Sequence, residues 1–304
     1  MGGGAGHIDG LRRAGAGDLE DDVLGDVVDT GRYPLTAPEG RAWADLVDRA
    51  RHDLRRDGCC VLPGFVRTSR QEDLRREGVA VAPHAHSRLE VVNAYNIDPA
   101  TPLPDDHPGR VRLERGNAFV PWDRIPRTSR LHRLYTDPHV QRFVAACVEL
   151  PAVHPLADPL AGLCLNVISP GRAHPWHFDT NEFSVSILTQ EAEGGGGFEF
   201  CPAIRSPEAE NLADVRGVLD DRRPDLVHRL TLHPGDLQLF RGRFSLHRVT
   251  TVTGTTPRHS AILAYSERPG VVGTPERTRQ LFGRVLPEHR AGPGRAVRGD
   301  RLLD

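Results

Sequence analysis

The sequence has no long run of apolar residues. No stretch approaches the ~18 apolar side chains of a membrane-spanning helix, so we expect no transmembrane segment. Residues 1–17 are rich in glycine and have neither a basic start nor an apolar stretch, so we expect no signal peptide and no membrane anchor there. The chain also has no lysine, and all 39 of its basic residues are arginine. A bias towards GC-rich codons explains this as well as any function does.

An excess of charge of either sign is also absent. The formal net charge is −2 at pH 7, with acidic and basic residues interspersed. No electrostatic field is therefore available to hold a nucleic-acid backbone or an anionic membrane, and we predict neither partner.

Cysteine is scarce and odd in number, with five residues and no CxxC pair. This usage is typical of reduced thiols in the cytoplasm, which is the compartment that we predict.

The composition is that of an ordinary globular protein, with 38% hydrophobic and 26% charged residues. A length of 304 residues is compatible with one large domain, and a homodimer is the default expectation for its assembly. Residues 1–30 are rich in glycine and then acidic, which predicts a disordered leader. We predict a single domain over residues 31–283 and a polar tail over 284–304.

Helical patterns are found mainly in the first half of the chain. Trp43, Leu46 and Leu54 recur at helical spacing, and Gly58 ends that pattern. Residues 82–126 are rich in Pro, His, Asp and Arg and show little periodicity, which is typical of long loops that form a lid or a pocket wall. The other elements predicted ahead of residue 155 are a strand at 59–62 and helices at 69–77 and 138–149.

Short apolar runs, broken by Gly, Pro and Asp, follow residue 155. Several of them alternate between apolar and polar residues, as half-buried strands do. About eight strands at this spacing favour a mainly β fold, an antiparallel jelly roll over about 155–268 with N-terminal helices packed on one sheet, and a helical insertion over 206–225. The predicted strands are 163–168, 174–179, 183–188, 197–200, 229–232, 236–240, 246–250 and 259–265.

A His-x-Asp pair, His177 and Asp179, falls at the end of one predicted strand. Residues two apart on a strand point to the same face, so one strand can supply two metal ligands. The pair is a weak signal by itself, because a chain with 15 histidines contains such pairs by accident. His7 and Asp9 form one in the glycine-rich leader, where no strand surrounds them, and we do not expect them to bind metal.

His247, on a later strand, completes a set of two imidazoles and one carboxylate. Such a set occupies three positions on Fe(II) and leaves three for cosubstrate and O₂, whereas zinc more often takes a closed tetrahedron. Arg258 and Ser260 on the next strand can point beside the metal. Arg258 offers a planar, permanently charged fork that suits the distal carboxylate of 2-oxoglutarate. The alternatives are a buried structural histidine at 247 and a solvated arginine at 258.

The segments that carry these residues resemble the Fe(II)- and 2-oxoglutarate-dependent oxygenases. ADPLAGLCLNVI, HPWHFDTNEFSVSILTQEAEGGGGFEF and HPGDLQLFRGRFSLHRV are similar to a small group of free amino-acid hydroxylases and radical halogenases, and the likeness covers about residues 155–270. The resemblance implies a double-stranded β-helix (cupin-like) core, Fe(II), 2-oxoglutarate as cosubstrate, and O₂. It also implies oxidative decarboxylation to succinate, coupled to oxidation of a C–H bond.

The residue at position 179 bears on which reaction follows. In the halogenases of the group, the resemblance implies a Gly or Ala at this position and a halide in its place. Asp179 fills the site here, so hydroxylation of a small molecule, a free amino acid or a derivative of one, is favoured over chlorination. Desaturation, epimerisation and oxidation of a carrier-tethered or peptidyl residue stay open, as does a metal-binding jelly roll without turnover. Arg258 and Ser260 argue against the last.

Other polar residues are candidates for the pocket. Asn166 is placed to hydrogen-bond the cosubstrate, with a plain strand position as the alternative. The glycine run 194–197 predicts a flexible connection near the pocket mouth. Arg243 is either a substrate contact or a surface ion pair. The substrate candidates are His174, Trp176, Thr180, Arg115, Asn117 and Arg241; packing is the alternative for Trp176 and an ion pair for Arg241.

Overall fold

A computed structural model describes residues 24–291 and 302–303 of the chain. Residues 24–27 form a helical turn ahead of the first long helix. No helix in the described ranges is long and apolar enough to cross a membrane. The helices are α1 (Arg41–Asp57), α2 (Thr68–Val81), α3 (Arg130–Thr136), α4 (Pro138–Cys147), α5 (Leu212–Leu219), α6 (Pro275–Phe282) and α7 (Glu288–Ala291), with 3₁₀ turns at Ala82–His84, Pro108–Arg110, Trp122–Arg124 and Pro224–Leu226.

The strands pair antiparallel throughout the part of the chain that the structure describes. The strands are β1 (Cys59–Leu62), β2 (Glu90–Val92), β3 (Leu113–Arg115), β4 (Ala118–Val120), β5 (His154–Pro155), β6 (Leu163–Ile168), β7 (His174–His177), β8 (Ser184–Gln190), β9 (Gly194–Gly195), β10 (Phe198–Cys201), β11 (His228–Leu230), β12 (Leu237–Phe240), β13 (Leu246–Val249), β14 (Val252–Thr253), β15 (Arg258–Leu263) and β16 (Tyr265–Ser266). A six-stranded sheet has the order β1-β12-β8-β15-β6-β4, and a four-stranded sheet has the order β11-β10-β13-β7.

The two large sheets pack face to face, and the chain crosses between them repeatedly. β6, β8, β12 and β15 lie in the six-stranded sheet, whereas β7, β10, β11 and β13 lie in the four-stranded sheet. Ile168 and Phe240 from one sheet meet Phe198, Phe200 and Val249 from the other in a buried cluster. The predicted jelly-roll core is confirmed, and its two sheets do not close into a barrel.

Helices cover the outer face of the six-stranded sheet. α1 buries the stripe Leu46, Val47, Ala50 and Leu54, and it ends where Gly58 adopts a left-handed conformation (φ 66°). This is the end that the sequence predicts, because glycine carries no Cβ to oppose positive φ. The stripe joins a continuous core with the outward side chains of β6, β8, β12 and β15. The strands that carry the site are thus held rigidly from behind.

The irregular region predicted over residues 82–126 contains three short strands. β2 pairs with β3 in a separate two-stranded ribbon, and β4 adds to the edge of the six-stranded sheet beside β6. Asn93 organises the loop after β2, because its side-chain oxygen accepts hydrogen bonds from the backbone N–H groups of Tyr95 and Ile97. The loop and the ribbon therefore have a defined geometry next to the jelly roll.

The ends of the predicted domain lie partly outside the described residues. Of the predicted leader, residues 1–23 are not described, and this part includes the His7–Asp9 pair. Leu24, Val27 and Val28 are buried in the main core, ahead of the predicted boundary at residue 31. In the predicted polar tail, His289 of α7 is buried against Asp158. All five cysteines are buried and unpaired.

Candidate active site

Two histidines meet at one point of the four-stranded sheet because of strand register. β13 pairs with β7 so that His247 lies directly opposite His177. Directly opposed residues point to the same face, and their ring centroids are 4.0 Å apart. Both side chains are buried, with 7% and 6% of their surface exposed. Two imidazoles that are 70 residues apart in sequence are thereby fixed side by side.

Asp179 joins them from the segment after β7, since that strand ends at His177. Its backbone N–H donates to the carbonyl of Gly242 at 3.1 Å. Its Oδ1 lies 3.7 Å from Nε2 of His177 and 3.5 Å from Nε2 of His247. One ligand atom from each of the three side chains lies within 4.8 Å of the others. The predicted triad therefore converges on a volume that suits one metal ion.

Gly242 makes room for the Asp179 carboxylate. A Cβ built on residue 242 would lie 2.0 Å from Oδ2 of Asp179 and 2.6 Å from its Cγ. No real Cβ approaches a carboxylate so closely, so any larger residue must displace the aspartate. The turn between β12 and β13 thus holds Asp179 both by its backbone and by the absence of a side chain.

Backbone carbonyls set the tautomer of both histidines. Nδ1 of His177 lies 2.8 Å from the carbonyl of Pro175, and Nδ1 of His247 lies 2.9 Å from the carbonyl of Ser245. A carbonyl only accepts, so each Nδ1 donates and each Nε2 faces Asp179. Burial, with His174 and His247 nearby, holds the pKa of His177 well below its usual value. The Nε2 atom of each imidazole is therefore the nitrogen that can bind a metal ion.

The carboxylate of the triad is ionised. Burial acts to raise its pKa, but the two histidines and the Ser184 hydroxyl outweigh this effect and lower the pKa of Asp179 to about 2. Its side chain is 25% exposed, more than either histidine, so water reaches the triad from this side. Two imidazole nitrogens and one anionic oxygen with one open side fit a divalent ion that keeps free coordination positions.

A bulge in β7 brings a third imidazole against the triad. Between the pairs His247–His177 and Val249–His174, two residues of β7 oppose one of β13. A bulge re-aims the side chains of the strand that carries the extra residue. His174 therefore stacks on His177 with ring centroids 3.8 Å apart and planes at 22°, although the two residues are three apart. The structure brings His174 to the site, where the sequence placed a substrate candidate.

The opposite sheet presents Arg258, Ser260 and Asn166. Ser260 of β15 lies directly across from Asn166 of β6, and all three side chains are buried. A guanidinium N–H of Arg258 donates to the Ser260 hydroxyl at 2.6 Å. Burial lowers the pKa of Arg258 to about 10, so the group stays cationic at neutral pH. This is a fork-shaped cation whose remaining N–H groups are available to a carboxylate.

The glycine run beside Arg258 is a tight connection. Gly195 and Gly196 both have φ of 64°. A Cβ on Gly195 would lie 2.0 Å from the carbonyl of Thr251, and a Cβ on Gly196 would lie 3.2 Å from Cδ of Arg258. The run is predicted as a flexible connection near the pocket mouth. The positive φ values and the close approach to Arg258 show why glycine is needed here.

Asn117 borders the cosubstrate side of the site, and Arg115 lies nearby at the end of β3. The amide of Asn117 donates to Oδ1 of Asn166 at 3.0 Å, and its own Oδ1 is buried without a hydrogen-bond partner among the described residues. Arg115 donates to Glu90 at 2.7 Å and to the carbonyl of Gln280 at 3.3 Å, while its Nε is buried without a partner. Unpaired buried polar atoms are costly and point to a missing ligand.

Trp176 and Arg241, both predicted as substrate candidates, are placed elsewhere. Trp176 belongs to the buried cluster on the outer side of the four-stranded sheet, where Arg248 stacks on its ring at 4.5 Å. The hydrogen bond from Arg55 is the main cause that lowers the pKa of Glu149, and the charge of Arg241 adds a smaller effect. The backbone N–H of Arg241 donates to the carbonyl of Gly58.

Arg243 and Thr180 differ in their exposure to solvent. Arg243 is buried, with 1% of its surface exposed. Thr180 is partly exposed directly after Asp179. Position 243 is thus part of the interior, and position 180 lies at the open side of the site.

Arg277, which the sequence did not single out, reaches the site from α6. The helix begins at Thr274, whose hydroxyl accepts from the backbone N–H of Arg277 at 3.2 Å, and Pro275 follows as its first residue. Arg277 donates to Oδ1 of Asn96 at 3.3 Å, and the amide of Asn96 donates to the carbonyl of Phe178 at 3.3 Å. Asn96 thus connects Arg277 to the residue between two of the ligands.

Phe178 anchors the ligand-bearing segment from the side away from the metal. The Arg205 guanidinium stacks on its ring at 3.8 Å, and the Tyr95 ring lies 5.3 Å away. Arg205 is fully buried and donates to the carbonyl of Arg243 at 2.7 Å. Residues 177 and 179 are therefore held on one side of the backbone by the packing of residue 178 on the other.

A sequence profile of the halogenase D family (HalD) matches residues 113–272, more than half of the chain. The chain belongs to the halogenase D family. No sequence match to a curated protein was found. The matched range of this family member begins at β3 and includes the triad, Arg258 and Ser260, whereas α6 and Arg277 lie beyond its end.

Solved structures are similar to this halogenase D family member in fold. The non-heme alpha-ketoglutarate-dependent epimerase SnoN from nogalamycin biosynthesis is 15% identical with a TM-score of 0.51, covering 73% of this chain and 81% of its own. SnoN in complex with Fe³⁺, alpha-ketoglutarate and nogalamycin RO gives 15% identity, a TM-score of 0.50, and coverages of 73% and 84%. EctD from S. alaskensis, in a structure with 2-oxoglutarate and 5-hydroxyectoine, is 21% identical with a TM-score of 0.46, covering 72% of this chain and 75% of its own. The similarity to SnoN supports the jelly-roll fold.

Proposed function

We propose that this halogenase D family member is an Fe(II)- and 2-oxoglutarate-dependent dioxygenase that hydroxylates an unactivated C–H bond of a small molecule. The observation that carries the proposal is the convergence of His177, Asp179 and His247 within 4.8 Å, facing a sheet that presents a buried arginine. A metal-only site has no use for Arg258, whereas a dicarboxylate cosubstrate needs such a fork. The relative SnoN, crystallised with Fe³⁺ and alpha-ketoglutarate, supports this pairing of metal and cosubstrate.

The residues of the chain have separate tasks in this proposal. His177, His247 and Asp179 hold the metal by two nitrogens and one oxygen. Arg258 and Ser260 bind the distal carboxylate of 2-oxoglutarate, and Asn166, tied to Asn117, flanks that cosubstrate. Bound Fe(II) supplies redox chemistry that activates O₂. The overall change is 2-oxoglutarate plus O₂ plus R–H to succinate plus CO₂ plus R–OH, in which every atom and electron is accounted for.

The presence of Asp179 favours hydroxylation over halogen transfer. A halide needs the coordination position that a carboxylate occupies, and the Asp179 carboxylate is ionised and lies between the two imidazoles. Epimerisation is the second candidate, because SnoN, which shares the fold, is described as an epimerase. We favour a free amino acid or a derivative of one as substrate, since the charge of Arg115 acts on His174, whose ring stacks on the ligand His177.

One experiment tests this function. The purified chain is loaded with Fe(II) and 2-oxoglutarate without O₂, then exposed to air with a set of amino acids, and succinate and product masses are followed. Hydroxylation adds one oxygen atom to the product, desaturation removes two hydrogens, and epimerisation leaves the mass unchanged. Succinate release that needs Fe(II) is expected even without substrate. A chain that binds Fe(II) but never releases succinate would be a metal-binding jelly roll without turnover.

A further inference from the structure

The charges around Arg277 do not balance within the described residues. The charged groups that act on it are Arg115, Asp179 and Glu90. Glu90 is already paired with Arg115 at 2.7 Å. Arg277 itself has no carboxylate within salt-bridge distance in the described ranges, and its acceptors are two neutral amides, Oδ1 of Asn96 and Oε1 of Gln280. One positive charge is therefore left without a partner.

The proposed cofactors do not remove this imbalance. With Fe(II), the charge of +2 is offset by the two carboxylates of 2-oxoglutarate, and the Asp179 carboxylate by Arg258. Glu90 offsets Arg115. The Arg277 guanidinium then stands as a surplus cation in a charged cluster that we define by Arg115, Arg277, Glu90 and Asn96. An unpaired charge that is partly removed from water is unfavourable, so such a cluster favours a ligand of opposite sign.

Arg277 lies at the border between solvent and the protein interior. Its surface is partly exposed, yet the surrounding protein encloses it enough to lower its pKa to about 10. It stays cationic at neutral pH. Asn96, which accepts from it, has φ of 57°, a left-handed conformation that asparagine tolerates. The Asn96 side chain is held at both ends, because its amide also donates to the carbonyl of Phe178 at 3.3 Å.

We propose that Arg277 binds an anionic group of the substrate, and that the substrate carries a net negative charge. This inference rests on the proposed function and narrows its substrate class to acidic small molecules, such as an amino acid with a second carboxylate or a phosphate. The same charged cluster includes Glu90, which can accept from a substrate ammonium, so a molecule with two anionic groups and one ammonium matches the charges of Arg115, Arg277 and Glu90. Arg277 is a specificity-determining residue in this assignment.

Binding of charge-matched pairs tests the assignment directly. The full chain, loaded with Fe(II) and saturating 2-oxoglutarate without O₂, is titrated calorimetrically with L-glutamate against L-glutamine, L-aspartate against L-asparagine, and O-phospho-L-serine against L-serine. At least one acid should bind about 10-fold or more tightly than its neutral partner. Arg277→Gln should weaken the binding of that acid by about 30-fold or more, as expected when one member of an enclosed charge pair is removed.

Matched variants separate recognition from folding. Arg279→Gln removes an exposed arginine from the same helix and should keep the preference. Arg277→Lys, which retains the positive charge, should keep part of the preference for the acid. Thermal unfolding shows whether each variant is folded. Neutral partners binding as tightly as the acids, no binding by any of the six, or a preference that survives Arg277→Gln would each overturn the assignment. Succinate release without substrate is measured in parallel, and its loss in every protein, including the parent, would instead count against the proposed function.

Discussion

The site is assembled from two regions that hold their side chains in different ways. In the jelly roll, His177, His247 and Arg258 are placed by the register of backbone hydrogen bonds between strands. Outside it, Arg115 lies on the separate ribbon of β2 and β3 and Arg277 lies on α6, and side-chain hydrogen bonds to Glu90 and Asn96 hold their guanidinium groups. Strand register resists substitution of neighbours, whereas side-chain contacts change with one mutation. The proposed chemistry thus resides in the rigid region, and substrate choice resides in the adaptable one.

The largest expected effect comes from removing the carboxylate of the rigid region. Asp179→Gly should abolish hydroxylation, lowering kcat/KM by more than about 100-fold, because loss of even an outer partner of a metal ligand costs about 10–100-fold. Calorimetric Fe(II) titration and product mass measure it. Asp9→Gly, in the other His-x-Asp pair, should leave both unchanged. Full hydroxylation by Asp179→Gly without added carboxylate would contradict the triad.

The second effect concerns the cosubstrate. Arg258→Gln should raise the KM for 2-oxoglutarate by about 30-fold or more, because a buried charge pair loses one member. Initial rates of succinate release against 2-oxoglutarate concentration give the value. Arg248→Gln, which removes an arginine that stacks on Trp176 outside the site, is the control. An unchanged KM in Arg258→Gln would place the distal carboxylate elsewhere.

A third effect tests how strictly the rigid region is packed. Gly242→Ala places a Cβ where the Asp179 carboxylate lies, so Fe(II) affinity should fall by about 10–100-fold, as for other positioning contacts. Urea unfolding checks that the domain stays folded. Gly25→Ala, whose Cβ would lie 4.0 Å from the nearest atom, is the matched control. If Gly242→Ala kept the parent Fe(II) affinity, the proposed role of the turn would be wrong.

A fourth effect addresses the adaptable region. Arg115→Gln should raise the KM for substrate by about 10-fold, within the range for a charged contact, and leave the KM for 2-oxoglutarate within about 2-fold. Initial rates with each compound varied in turn provide both constants. Arg112→Gln, an exposed neighbour on the same stretch, serves for comparison. Equal changes in the KM for substrate and the KM for 2-oxoglutarate would contradict the assignment of Arg115 to substrate binding.

The smallest effect concerns stability on the helix-covered side of the sheet. His259 is buried there with neither ring nitrogen hydrogen-bonded, and burial, together with Arg75, lowers its pKa from 6.5 to about 4. Between these values the unfolded chain binds more protons, so stability is present above pH 6.5 and is lost as the pH falls towards 4. His259 should contribute a loss of about 1 kcal/mol between pH 6.5 and 5.5.

Urea unfolding at the two pH values measures this loss. His259→Leu should reduce it by about 1 kcal/mol, since the group that titrates is gone. His233→Gln, at an exposed histidine, should keep the pH dependence of the parent. The same loss in His259→Leu as in the parent would mean that other groups cause it.

The sequence predicts the rigid region well and the adaptable region poorly. β6 spans 163–168 as predicted, because a six-residue apolar run bounded by turn residues has few alternatives. The triad follows from its residue types and from strand order. The bulge that stacks His174 on His177 is not predictable, because it depends on pairing with β13, whose register no local pattern encodes.

Arg277 shows the limit most clearly. Thr274 and Pro275 are recognisable as a helix start, so α6 itself could have been predicted. Its position over the site depends on contacts with Asn96 and Arg115, about 160–180 residues earlier in the chain. Trp176 and Arg241 illustrate the converse: each lies close in sequence to a ligand or its strand, yet one packs outside the sheet and the other lies beside Glu149.

The packing of Phe178 has a consequence for how the protein could be tuned. The Phe178 ring and the stacked Arg205 guanidinium hold the backbone between His177 and Asp179, on the side opposite the metal site. Stiffness of the coordination geometry is therefore supplied by the exterior of the four-stranded sheet. Substitutions at Phe178 or Arg205 are therefore a means to change the geometry of metal coordination. Every group that contacts the metal ion or its cosubstrate stays the same in such variants.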